Sequence, residues 1–160
     1  MIEVREGEFR LKNPIKIDKC YAGLDIARVA DFSALVILGR NEKKWYPVLI
    51  KIFPHIAWPT MLEQIEVLYR EFHWSEMAAD KTSLGQGFID FVLAKNMPCR
   101  NVGFTSQSKQ EMINHAQKLF QAQEMGLPIA GCEEIIKQFG EQMQTDTGST
   151  MRYSHPEASH

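Results

Sequence analysis

Apolar and polar residues alternate in short runs over the first third of this chain, and from Pro59 onward apolar residues recur every three or four positions. The alternating part holds three strand candidates, 20–26, 34–39 and 45–53, with the polar turn Gly39-Arg-Asn-Glu-Lys-Lys44 between the second and third. That spacing predicts an antiparallel meander. Pro47 cannot donate to a ladder, which places it at a sheet edge or a bulge. Leu62, Ile65, Leu68, Tyr69 and Phe72 then fall at helical spacing, with Pro59 and Thr60 near the start. A fourth strand is predicted over 75–80. Gly85-Gln-Gly87 opens a second helix carrying Phe88, Phe91, Val92 and Leu93, which stops before Pro98. A fifth strand follows over 100–104. The longest helix, 107–125, gathers Met112, Ile113, Ala116, Leu119 and Phe120 on one face and ends at Gly126-Leu-Pro128. Another helix is predicted over 133–144 and a last strand over 150–153. The first 18 residues are polar and contain Pro14, reading as an N-terminal linker or edge segment ahead of one domain, 19–160. Three meandering strands followed by alternating helices and strands describe an α/β domain with a mixed sheet flanked by helices.

At 160 residues and 44% hydrophobic content, one domain with a substantial core is expected rather than two. A formal charge of −2 argues against a protein that coats nucleic acid over its whole surface. It leaves room for a local basic groove, because carboxylates committed to a metal are neutralised on site. The three cysteines, Cys20, Cys99 and Cys132, are far apart and odd in number, which suits a reducing compartment and excludes a disulfide framework or a zinc ribbon. No segment approaches the length of a membrane span, and no signal peptide opens the chain, so a cytoplasmic protein without a membrane partner is expected. Trp45, Trp58 and Trp74 read as core or half-buried residues.

Chemistry concentrates in three acids. Asp25 lies near the end of the first strand candidate, Asp31 follows just ahead of the second, and Asp80 closes the fourth. An ionised carboxylate at the tip of a buried strand is costly unless a cation meets it. Hard oxygen ligands select Mg²⁺ or Mn²⁺ over thiophilic metals. Acids converging from separate strand tips are what two-metal cleavage of a phosphodiester requires, with Asp25 and Asp80 as principal ligands and Asp31 assisting. Each has a plainer alternative: Asp25 and Asp31 as turn residues, Asp80 as the cap of the next helix. A zinc site is disfavoured, since the five histidines show no close His/Cys spacing.

The order of elements and acids resembles the ribonuclease H-like nuclease fold, and within it the C-terminal nuclease domain of the large terminase subunit of tailed bacteriophages. Gly23-Leu-Asp25 with Asp31 and Ser33-Ala34 is similar to that family's first motif. Ala79-Asp80-Lys-Thr-Ser-Leu-Gly85-Gln-Gly87 is similar to its second. Phe104-Thr-Ser-Gln-Ser-Lys109 resembles its strand-to-helix junction with a lysine, and Arg152-Tyr153-Ser-His155-Pro-Glu157-Ala-Ser-His160 resembles the segment leading to its third acidic motif. The resemblance runs from about residue 19 to the end. It implies a Mg²⁺- or Mn²⁺-dependent endonuclease that cuts concatemeric double-stranded viral DNA during genome packaging in the host cytoplasm. Lys81, Lys109 and Ser108 are implied phosphate contacts, helped by the amides of a helix start. Portal protein and the small terminase subunit are implied partners. The chain has no Gly-x-x-x-x-Gly-Lys-Ser/Thr loop, so an ATPase motor domain is expected upstream of residue 1. In the family an acidic pair usually follows the histidine that His160 resembles; the 160 residues stop there, so that pair either lies beyond them or is lacking, with Glu157 a poor substitute. Two rival readings therefore stay open: another ribonuclease H-like enzyme such as a Holliday-junction resolvase, and a catalytically silent domain that binds DNA or docks on a portal.

Overall fold

The computed structural model describes residues 2–5, 7–11, 16–26, 32–54, 56–80 and 86–127, together with Glu133 and Lys137. The expected helix over 133–144 and strand over 150–153 lie outside these residues apart from those two positions.

The chain builds a seven-stranded mixed sheet in the order β1-β2-β5-β4-β3-β6-β7. The strands are β1 (Ile2–Arg5), β2 (Glu8–Leu11), β3 (Lys19–Asp25), β4 (Ser33–Asn41), β5 (Lys44–Phe53), β6 (Met77–Asp80) and β7 (Cys99–Val102). The helices are α1 (Trp58–Phe72), α2 (Gln86–Ala94) and α3 (Ser106–Gln121). β3, β4 and β5 form the antiparallel meander, and β6 and β7 add in parallel on the far side of β3. The β4–β5 register slips between Ile37 and Leu38, where Leu38 meets Pro47. The bulge accommodates the proline's missing donor.

Residues 2–5 and 8–11, within the expected linker or edge segment, form an antiparallel hairpin whose second strand pairs with β5. Gly7 sits at φ +70 in the turn, a conformation open to glycine at little cost. The hairpin is tied to the sheet by side chains as well. Lys51 donates to Glu8 at 3.0 Å, and Arg10 bonds Glu8 at 3.2 Å and reaches Glu71 on α1. Burial pushes the Glu8 carboxyl up, but the hydrogen bonds from Lys51 and Arg10 outweigh it and hold its pKa below the usual value.

Alternation decides which face carries the core. Cys20, Ala22 and Leu24 on β3, Leu35 and Ile37 on β4, Leu49 and Phe53 on β5, and Met77 and Ala79 on β6 are all buried on one face. Against it pack Met61, Leu62, Ile65 and Leu68 of α1 and Phe88 and Val92 of α2. Each such side chain contributes about 1.5–3 kcal/mol on burial. Trp74, fully buried, follows α1 after His73, whose left-handed backbone (φ 46) closes the helix with its N–H on the Tyr69 carbonyl at 2.8 Å. Phe9, Ile50 and Val36 form a smaller cluster.

α3 buries none of its residues and ends sooner than its apolar spacing predicts. Gln123 turns left-handed (φ 57), and the segment after it is drawn onto β5. The Trp45 N–H donates to the Glu124 carbonyl at 2.7 Å, and the Gly126 N–H donates to the Trp45 carbonyl at 2.9 Å. No helix among the described residues is long and apolar enough to cross a membrane.

Candidate metal and DNA site

Asp25 is the last residue of β3 and Asp80 the last of β6. The two strands run parallel and adjacent, with Ala22 opposite Met77, Gly23 opposite Ala78 and Leu24 opposite Ala79. One further step of that register sets Asp25 beside Asp80, on strands about 4.8 Å apart. Because side chains alternate, both acids lie on the face of Gly23 and Ala78, opposite the buried Leu24 and Ala79. The floor beside them is made of small residues: Gly23, Ala78, and Ala34, which pairs with Asp25 across β4. Asp25 is exposed, whereas Asp80 is buried and engaged by a partner.

The position of this pair follows from the topology. After β3 the chain turns to β4 on one side, and after β6 it crosses through α2 to β7 on the other. The carboxyl ends of neighbouring parallel strands with diverging connections frame a crevice, the usual ligand position in open α/β sheets. β7 is also parallel, with Val102 opposite Asp80, and four residues later α3 begins. The N-terminus of α3 therefore opens on the same edge of the sheet as both acids.

That helix start is held by a reciprocal cap. The Ser108 N–H donates to Thr105 Oγ1 at 3.1 Å, and the Thr105 N–H donates to Ser108 Oγ at 2.9 Å. Ser108 Oγ in turn donates to the Gly103 carbonyl at 2.9 Å. The hydroxyl expected to meet phosphate is thus occupied by the helix itself, and a phosphate would compete with this bond. Lys109 is exposed, its Nζ 5.8 Å from the centre of the Phe104 ring. Phe32, directly before β4 and two residues from the partner of Asp25, is 69% exposed, the most exposed large apolar side chain among the described residues. Sequence reading passes over it, because a lone phenylalanine beside a strand looks like core.

Asp31 and Lys81 lie outside the described residues, as do His155, Glu157 and His160. Among the described residues, no group of three or more His, Cys, Asp or Glu side chains is placed to hold a metal ion. Two carboxylates at neighbouring strand ends are hard oxygen donors of the kind a divalent cation takes. The described cysteines do not extend this donor set toward a thiophilic metal. Burial pushes up the thiol pKa of Cys20, and burial with the Glu76 charge does so for Cys99.

No protein-family model matches the chain, and no curated protein matches it. Solved structures do. The large terminase nuclease from thermophilic phage G20c superposes with a TM-score of 0.71 at 15% identity, covering 86% of this chain and 72% of that one. The same nuclease has been solved with bound magnesium, zinc and cobalt. The large terminase nuclease domain of Thermus phage P74-26 gives 0.68 at 14% identity over 86% of this chain and 69% of that one. The large terminase of thermophilic bacteriophage D6E gives 0.66 at 12% identity; 79% of this chain is covered, but only 32% of that one. The fold is thus the ribonuclease H-like fold of large terminase nuclease domains.

Proposed function

We propose, from a fold shared with large terminase nucleases and an acid pair at its crevice, that this chain is a divalent-metal-dependent endonuclease domain acting on double-stranded DNA in phage genome packaging. The observation that supports the reading is the parallel pairing of β3 with β6, strands whose last residues are Asp25 and Asp80. Asp25, Asp80 and Asp31 are the residues that would hold Mg²⁺ or Mn²⁺; the metal complexes of the G20c nuclease support a divalent ion. When bound, such ions supply Lewis acidity and lower the pKa of an attacking water. The chain's own part is to position. Asp80, buried and fixed at the end of β6, gives the site a rigid side, and exposed Asp25 gives it an open one. The α3 start, Lys109, Ser108 and Lys81 would hold the phosphate backbone.

In this reading the partners are double-stranded DNA, an ATPase domain of the same polypeptide, portal protein and the small terminase subunit, all in the host cytoplasm. The test offers duplex plasmid and a four-way DNA junction to the chain with Mn²⁺ or Mg²⁺. Cleavage of the duplex, lost in Asp80→Ala, supports the proposal. Cleavage confined to the junction points to a resolvase, and binding without cleavage of either points to a silent DNA-holding domain.

A further inference from the structure

Resting on the nuclease reading, we propose that the end of the sheet away from the acids, where the β4–β5 hairpin meets the start of β3, grips a second stretch of the same duplex. Lys19 opens β3 opposite Arg40 of β4, and Asp25 closes that strand. At about 3.3 Å per residue the two ends lie about 20 Å apart, the length of about six base pairs of duplex.

Charge collects at this end. Among the described residues it carries five exposed cations, Lys16, Lys19, Arg40, Lys43 and Lys44, against the carboxylates of Asp18, Glu42 and Glu124, in a chain whose formal charge is −2. The Asp18 N–H donates to the Arg40 carbonyl at 2.8 Å, which brings Lys16 to the hairpin, and Asp18 Oδ2 accepts from the Glu42 N–H at 3.2 Å. The four ammonium groups make no ion pair among the described residues. Arg40 is held in place, its Nε donating to the Glu42 carbonyl at 2.8 Å and its guanidinium 5.6 Å from the centre of the Trp45 ring. Its other N–H groups are uncommitted among the described residues.

The surroundings favour a duplex over other polyanions. A polypeptide interface has an apolar core, whereas a DNA interface is polar and positively charged. Among the described residues none of the exposed large apolar side chains belongs to this end. A single strand would stack its bases on open rings. Here Tyr21, Trp45 and Tyr46 are half-buried, and Trp45 is packed against Tyr21 with centroids 5.6 Å apart. α3 spans the way from the acid edge to the hairpin, since the segment just after it bonds to Trp45. It exposes Lys109 and Lys118 and one carboxylate, Glu111, which Gln107 holds at 3.0 Å. A duplex leaving the acids along α3 thus meets little repulsion before it reaches the hairpin.

The test measures fluorescence anisotropy of a labelled 20-base-pair duplex with the 160-residue chain, without metal so that nothing is cut, over a series of salt concentrations. Lys43→Gln with Lys44→Gln should weaken binding at least about tenfold at about 0.1 M salt and flatten the salt dependence by about 1–2 units, each lost phosphate contact counting about 0.9. Arg70→Gln with Lys95→Gln removes as much charge from exposed positions on α1 and after α2, and should leave both quantities nearly as they are. An unchanged hairpin variant, or equal losses in the two double variants, would overturn the proposal. Polyglutamate of matched charge competing as well as the duplex would give the surface to an acidic polypeptide, and a 20-nucleotide single strand binding more tightly than the duplex would give it to single strands; either refutes it. Plasmid cleavage in Mn²⁺ keeps the two readings apart. Cleavage by wild type with an unaltered hairpin variant refutes the second contact alone, whereas hairpin-dependent duplex binding without cleavage refutes the nuclease reading and leaves the contact standing.

Discussion

Replacing Asp25 with asparagine should make the metal-free protein more stable and its metal-bound form less so. Neighbouring strands lie about 4.8 Å apart, and two unit charges at about 5 Å repel by about 3 kcal/mol at an effective dielectric of 20. Asp25 is exposed, so screening reduces the term at Asp25 and Asp80 to about 1 kcal/mol at neutral pH. Asparagine keeps the shape and removes the charge. For a chain of 160 residues, 1 kcal/mol corresponds to about 2–4 °C in Tm. A divalent ion that binds only the folded state at ten times its Kd contributes about 1.4 kcal/mol, or about 3–6 °C. In calorimetric scans at pH 7 without metal, Asp25→Asn should melt about 2–4 °C above wild type. With 10 mM Mn²⁺ the wild type should gain and the variant should gain little, so that the order narrows or reverses. A variant that melts lower without metal and rises with Mn²⁺ as far as wild type would refute both the repulsion and the shared site.

Three further changes test the frame around the site. Glu8 has a pKa lowered in the folded state by Lys51 and Arg10, so its contribution is present above the unfolded carboxylate pKa of about 4.3 and is lost as pH falls through the lower folded value. Glu8→Gln should lower stability at pH 7 and flatten its decline below about pH 5 in urea melts; parallel pH profiles would count against that linkage. Thr105→Ala removes the cap of α3 and should cost about 1 kcal/mol, with Thr105→Ser largely restoring it in thermal melts. Gly126→Ala would bring its Cβ to 2.7 Å from the Tyr46 ring and should destabilise by about 1–3 kcal/mol, relieved by Tyr46→Leu in a double-mutant cycle.

Much of the frame is visible in local patterns. β3 to β6, α1 and α2 each answer a clear period, since one face of each buries apolar side chains against the other layer, whereas α3 shows its helical spacing without burying any residue. The pairing of β3 with β6 was expected from chemistry: two strand-tip acids have a common use only if their strands are neighbours. The β1–β2 hairpin was less legible, because four-residue strands carry little signal and the pairing that fixes them, with β5, lies about forty residues away. The end of α3 was misplaced for a similar reason. Its apolar spacing continues toward Met125, but backbone bonds to Trp45 take over first. Trp58 was expected in the core or half-buried and is instead 38% exposed at the start of α1. At the site, Ser108 shows the limit of reading residue types: the same hydroxyl serves a phosphate or a helix cap, and only the three-dimensional partners decide which it meets in the free protein.

The central claim is that Asp25 and Asp80 together hold the ion with which DNA is cut, and conversion of supercoiled plasmid to nicked and linear forms in Mn²⁺ tests it most directly. Wild type should cut in a metal-dependent manner, and Asp25→Asn and Asp80→Asn should each fall by about a hundredfold or more while retaining DNA affinity, since phosphate contacts from Lys109 and the α3 start do not depend on the acids. Either variant cutting at the wild-type rate, or wild type leaving the plasmid intact in both Mn²⁺ and Mg²⁺ while still binding it, would contradict the account.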